Sequence, residues 1–357
     1  MTEEGSPKPG DGSAERRWPV ITVVGIGGAG CNSGESLAEG GIYRLGGGSE
    51  GQQRPTMTIV GCGGAGCNTL ARAAECGMLL GTHVAANTDA QHLLGARAHR
   101  KVLLGRMTTY GRGANADIAL GERACEEVRA LLEEVLEDAD IVVVLSGLGG
   151  GTGTGASPVI ADVARKAGAI ALSLATLPFS IEGSTRLANA EVGRAMLARR
   201  SDVSVVMPND RLLEETPTIG LLDAFRAADE ALLQPVMLLR DMITIDDLVA
   251  LRRVLKGAGA AHLGRGRSNR AAGWVDALAA ALTAVYPPVP VRACRRAMVL
   301  FSTGTGEPAD GELAELVRSL HLAMPPGAET AWGVHRDPAL HDEVQVVVLL
   351  AVGAPKA

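Results

Sequence analysis

The sequence predicts an α/β protein in which a mainly parallel sheet domain is joined by a long central helix to a smaller α/β domain. Three observations carry this. From Thr56 to Met207 short apolar strands alternate with amphipathic helices, the pattern of a parallel sheet covered on both faces. The segment "LLDAFRAADEALLQPVMLLRDMI" (221–243) reads as one long apolar helix buried between two halves. Beyond it a shorter alternation ends in the strand-forming run "DEVQVVVLLAVG". A chain of 357 residues is long enough for two domains, and 46% hydrophobic against 21% charged residues supports a packed core.

Taken in order, residues 1–55 read as a flexible extension. They contain "VITVVGIGGAGCN" (20–32), a partial copy of "MTIVGCGGAGCN" (57–68) set 36 residues upstream. Only the downstream copy continues into a helix and the strand "HVAAN", which one βαβ unit requires. No strand is expected between the upstream copy and Thr56. The sheet strands are then "MTIVG", "HVAAN", "KVLLG", "DIVVVLSG", "AIALSLA" and "VSVVM". Ala124, Val128, Leu131, Leu132 and Val135 recur at helical spacing and predict one helix before the fourth strand. The next helix is framed by Ser157 as N-cap, Pro158 at its first position and Gly168 past its end. Pro235 falls inside the long helix, where it costs roughly 3 kcal/mol unless the helix kinks. The resulting division is a 1–55 extension, a 56–220 nucleotide-binding domain, a 221–243 central helix and a 244–354 C-terminal domain.

Bulk properties exclude several classes. A net charge of −6 argues against a protein held on nucleic acid by phosphate contacts. No apolar stretch approaches a membrane span, so no direct membrane insertion is expected. The polar, Pro- and Gly-rich start is unlike a secretory signal, and a cytoplasmic location is the default. The six cysteines and seven histidines are dispersed, so no transition-metal site is expected.

Chemistry concentrates in the glycine turns. A strand, a glycine turn and a helix form an anion site, because the backbone approaches the ligand and helix N-terminal amides face its charge. "GCGGAGCN" (61–68) has this form. Alone it equally fits a dinucleotide pocket, and Asp89 stands where such a pocket places its ribose acid. The second turn, "SGLGGGTGTGASP" (146–158), decides against that. Two anion-binding turns on neighbouring strands suit a triphosphate gripped from two sides.

The motif "GGGTGTG" (149–155) resembles the signature of the tubulin and FtsZ superfamily. "NTDAQ" (87–91), "GRGANA" (111–116), "TLPFSIEG" (176–183), "PNDRLL" (208–213), "LLDAFRAADEALL" (221–233), "KGAGAAHLGRG" (256–266) and "WGVHRDPALHDEVQVVVLLAVG" (332–353) follow in the FtsZ order. The resemblance implies a tubulin/FtsZ-like fold and a GTP/GDP pocket, with Mg as a possible companion. Gly63, Gly64, Ala65, Gly66, Cys67 and Asn68 would cradle phosphates together with Gly150, Gly151, Thr152 and Gly153, Thr152 adding a hydroxyl. Glu182 would bond the ribose, and Arg186 would lie beside the nucleotide as a cation. Asp229, with Asn209 near it and Phe225 stacking, would read guanine.

The resemblance also implies head-to-tail filaments of this chain with itself or a partner FtsZ, each pocket completed by the next subunit's acidic loop. Here that loop is "DMITIDDLVALRRVLKGAG" (241–259). Aligned back from "KGAG", the first family aspartate falls on Asp247, the second on Ala250 and the asparagine on Ile245. Asp247 and Asp246 are the remaining catalytic candidates. A C-terminal linker and peptide of the kind by which FtsZ proteins recruit membrane tethers is not expected. The expectation is a divergent FtsZ paralogue of cell division with weak hydrolysis; the alternative is a non-hydrolysing regulator of a partner FtsZ polymer.

Overall fold

The structure, a computed structural model, describes residues 41–46, 53–77, 81–211, 221–269, 273–304 and 310–353. All of them fall in one compact unit, Gly34–Ala357. The upstream glycine turn at 25–32 lies outside the described residues.

In chain order the first part is built from β1 (Ile42–Arg44), β2 (Met57–Cys62), α1 (Gly63–Glu75), β3 (Thr82–Asn87), α2 (Ala90–Gly95) and β4 (Arg100–Leu103). Then follow α3 (Arg106–Thr109), α4 (Ile118–Glu126), α5 (Arg129–Leu136), β5 (Ile141–Gly147), α6 (Gly151–Lys166), β6 (Ile170–Leu177), α7 (Ser184–Arg200) and β7 (Val203–Pro208). The central helix is α8 (Leu221–Met242), followed by α9 (Leu248–Leu255), β8 (Gly259–Asn269) and α10 (Gly273–Thr283). The chain closes with β9 (Arg296–Thr303), α11 (Asp310–Leu322), β10 (Glu329–Arg336) and β11 (Glu343–Ala351).

The six predicted strands form as β2 to β7. β5 is buried along nearly its whole length, as expected of a Val-rich strand covered on both faces. The sheet does not stop at the central helix. One 11-stranded sheet runs β1-β10-β9-β11-β8-β7-β6-β5-β2-β3-β4. Its β4-to-β8 stretch is parallel, with Val203 of β7 opposite Gly259 of β8. β11 is antiparallel to both β8 and β9, while β10 and β1 return to parallel pairing.

Three local expectations are corrected. First, residues 42–46 are not part of a loose extension. β1 pairs with β10 from Ile42 opposite Thr330, and Tyr43 and Leu45 are buried in the central core. Second, the helix expected over 124–135 is two helices. Between them Glu127 turns to accept from the Met107 and Thr108 amides at the start of α3, at 2.9 and 3.0 Å. Third, Ser157 is no N-cap. α6 begins at Gly151, and Ser157 lies inside it, donating to the Gly153 carbonyl at 2.5 Å. The glycine turn and the first turns of the helix are one object, so the cap residue is Gly150. Gly168 does end this helix region in the left-handed conformation, at φ +95°.

Pro235 lies inside the long helix, as expected. α8 continues through it as one 22-residue helix. Leu232, Leu233, Val236 and Leu239 around the proline are all buried in the central core. Burying each such side chain is worth ~1.5–3 kcal/mol, which offsets the hydrogen bond that proline removes. Among the described residues no helix is long and apolar enough to cross a membrane.

Candidate functional site

The two glycine turns leave adjacent strands. β2 and β5 pair in register with Cys62 opposite Ser146, and β2–β3–β4 and β5–β6–β7 run from them in opposite directions. That is a topological switch point, where ligands of open α/β sheets bind at the carboxyl ends of the strands. Gly63 adopts φ +72°, and a Cβ there would stand 2.8 Å from the Gly153 nitrogen. The starts of α1 and α6 therefore touch backbone to backbone. Gly66 lets α1 approach β5 just as closely, since its Cβ would lie 2.2 Å from the Leu145 carbonyl oxygen. The positive ends of two helix dipoles meet at one place, and side chains are excluded from between them.

Of the predicted cradle residues, Gly63, Gly66 and Cys67 are buried, Gly64 is half-buried, and Ala65 and Asn68 are exposed. Gly151, Thr152 and Gly153 are buried and Gly150 is half-buried. The Cys67 thiol donates to the Gly61 carbonyl at 3.2 Å, and burial pushes its pKa up to about 11. Burial raises Cys62 as well. Both stay neutral at physiological pH, so they peg the turn rather than act as nucleophiles.

Thr152 keeps its hydroxyl 2.6 Å from that of Thr88, a fully buried residue of "NTDAQ". The Thr88 carbonyl accepts from Gly113 N at 3.1 Å, and the Gly111 carbonyl accepts from Ala90 N at 3.0 Å, which stitches "NTDAQ" to "GRGANA". Asp89 caps α2 by accepting from His92 N at 3.0 Å. A carboxylate engaged this way serves a helix rather than a dinucleotide ribose.

The residues assigned to ribose and base sit just after β7 (Asn209), on α8 (Phe225, Asp229), in the β6–α7 connection (Glu182) and on α7 (Arg186). Glu182 accepts from Phe179 N at 2.8 Å with one oxygen and pairs with Arg186 at 2.5 Å with the other. Asn209 and Asp229 are buried. Phe225 lies on α8, its side chain outside the described residues. Asp229, at 4% exposure, accepts from Thr69 Oγ1 at 2.9 Å and from Arg72 Nε at 2.5 Å. These two α1 residues were not singled out from sequence; their spacing of three, one helical turn, is the only local signal.

The loop residues Asp246 and Asp247 lie elsewhere. α8 runs from Leu221 to Met242, so Asp229 stands 13 residues (242 − 229), about 20 Å, before its end, and the loop follows that end. The Asp247 carboxylate accepts from Thr244 N at 2.7 Å, Thr244 Oγ1 at 3.0 Å and Gly46 N at 3.2 Å. Asp246 is exposed, and Ala250 falls inside α9. Within one chain the loop does not reach the pocket.

Comparison with known proteins gives a consistent picture. Residues 56–217 match the model of the Tubulin/FtsZ family, GTPase domain. Cell division protein FtsZ 1 of Pyrococcus horikoshii is 40% identical over 338 residues, covering 92% of this chain and 80% of that protein. The protein of the same name from Halobacterium salinarum is 37% identical, covering 94% and 77%. Among solved structures, an empty FtsZ dimer from M. jannaschii superposes with a TM-score of 0.74 at 34% identity, over 84% of this chain and 88% of that one. CetZ2 from Haloferax volcanii shares the fold, with a TM-score of 0.68 at 22% identity, over 83% and 92%.

Proposed function

This chain belongs to the tubulin/FtsZ family, and from that membership we propose that it is a GTP-binding, FtsZ-like cell-division protein that assembles head to tail and hydrolyses GTP slowly. The observation that carries the reading is the backbone contact between the starts of α1 and α6 at Gly63 and Gly153. Two helix N-termini aimed at one spot, with no Cβ between them, suit a chain of phosphates. A triphosphate would lie across Gly63–Asn68 and Gly150–Gly153, with Glu182 at the ribose and Arg186 beside it. A magnesium ion bound there would neutralise phosphate charge. Among the described residues no group of three metal-ligating side chains is available to cage a cation, so phosphate oxygens and water would supply most of its ligands.

Asp229 is the residue for base choice. A carboxylate offers about four acceptor sites, and Thr69 and Arg72 use two. The remainder can accept from the N1 and N2 hydrogens of guanine, where adenine presents an acceptor instead. Competition titration should give clear preference for GTP and GDP over ATP and NAD. Replacing Asp229 by Ala should reduce that preference by about 1–3 kcal/mol, the cost of an unpaired buried polar group. Equal GTP and ATP affinities in the unaltered protein would sink the assignment.

Assembly is supported by the M. jannaschii relative, whose structure is a dimer. A second reading, a GTP-holding regulator that caps a partner FtsZ polymer without hydrolysing, is favoured by the engagement of Asp247 within its own loop. Light scattering of the protein alone with GTP and magnesium separates the two: growth of scattering supports self-assembly, and its absence supports the regulator.

A further inference from the structure

Asn189 lies on α7 three residues beyond Arg186 and bridges two backbone segments at the pocket. Its Nδ2 donates to the Ala116 carbonyl at 2.9 Å and to the Gly149 carbonyl at 3.4 Å. Both acceptors belong to stretches that need outside support. Asn115 and Ala116 hold φ +45° and +62°, a left-handed conformation that non-glycine residues keep only where surroundings impose it. Gly149 is at φ +100°, its amide donating to Thr154 Oγ1 at 2.8 Å, and it leads directly into the second glycine turn. The loop and that turn are already in contact, because a Cβ at Gly151 would stand 2.8 Å from the Ala114 and Asp117 carbonyl oxygens.

We propose that Asn189 is a positioning residue for phosphate recognition, clamping the 111–117 loop against the second glycine turn and so setting the shape of the phosphate cradle. It acts through Ala116 and Gly149 rather than by touching the base, whose recognition is assigned above to Asp229 and Asn209. The inference rests on the nucleotide-binding reading given above and adds a residue that its motifs do not name.

The test is the ratio of GTP affinity to guanosine affinity, measured by competition in the wild-type protein and in Asn189→Ala and Asn189→Asp. Loss of one neutral hydrogen-bonding amide should lower GTP affinity about tenfold in Asn189→Ala. Guanosine affinity and the thermal midpoint should stay unchanged, because base contacts and core are untouched. Asn189→Asp keeps the size but has only acceptors to set against two carbonyl oxygens, so it should lose more than the alanine variant. If the aspartate variant does not fold, the alanine variant carries the test alone. An unchanged ratio with tight wild-type GTP binding refutes the inference while leaving the function intact. A parallel fall of guanosine and GTP affinity shows general structural damage and refutes it as well. A wild-type protein that binds neither ligand refutes both this inference and the function it rests on.

Discussion

Purified protein given GTP and magnesium should turn the nucleotide over at least ~100-fold more slowly than an FtsZ whose loop carries both acidic positions, the low end of what a lost general base removes. The residues proposed for the pocket and those of the loop sit about 20 Å apart along α8. The glycines of both turns and the buried Asp229, which the proposed pocket needs, are all present. In the loop, the residue aligned with the second acidic position of the family is Ala250, half-buried on α9. Asp247 is no simple substitute, since its carboxylate holds Thr244 and Gly46 in place. Asp246 is the exposed carboxylate of the loop and would have to act from a neighbouring position. Two experiments sharpen the expectation. Adding a partner FtsZ with an intact loop should raise hydrolysis of GTP held in this pocket, because the donor of the acid would be the other chain. Ala250→Asp should raise turnover in the protein alone. Turnover equal to that of an ordinary FtsZ would overturn the idea and assign the role to Asp246 or Asp247.

Much of the pocket was legible because its determinants are local. A glycine turn between a strand and a helix announces itself within twelve residues, and the two turns needed only their strands to be neighbours. Buried parallel strands such as "IVVVLSG" are readable as continuous apolar runs. What escaped depends on pairing across the fold. Asp229 meets Thr69 and Arg72 from 160 and 157 residues away, and Thr152 meets Thr88 from 64; periodicity holds no trace of such partners. The Ser157 misreading has a different origin. Serine followed by proline is a good helix start locally, yet tertiary packing of glycine backbone against backbone moved the N-cap from Ser157 to Gly150, seven residues earlier (157 − 150). β1 is the extreme case. Three residues between glycine-rich flanks carry little strand signal, and the pairing with β10 at Thr330 is what makes them a strand.

Leu45→Ala should therefore destabilise the protein by about 2–5 kcal/mol, the range for truncating a buried leucine, although the sequence placed it in a dispensable extension. Leu45 is 2% exposed within the central core, and its amide donates to the Trp332 carbonyl at 2.7 Å. Around it Tyr43 is buried and its hydroxyl accepts from Arg253 at 3.2 Å. Gly46 N reaches Asp247, the Gln53 carbonyl accepts from Ile245 N at 2.9 Å, and Arg54 donates to the Arg240 carbonyl at 3.1 Å. Residues 43–46 and 53–54 thus pack along the end of α8 and the acidic loop. Chemical denaturation should show the loss as a lower midpoint, while GTP affinity per folded molecule stays unchanged. Removing residues 1–40 leaves every one of these contacts in place and should cost little; removing 1–46 should cost at least as much as Leu45→Ala. A Leu45→Ala variant within about 0.5 kcal/mol of the parent, the usual scatter of surface substitutions, would mean that β1 and Leu45 contribute nothing to the folded core.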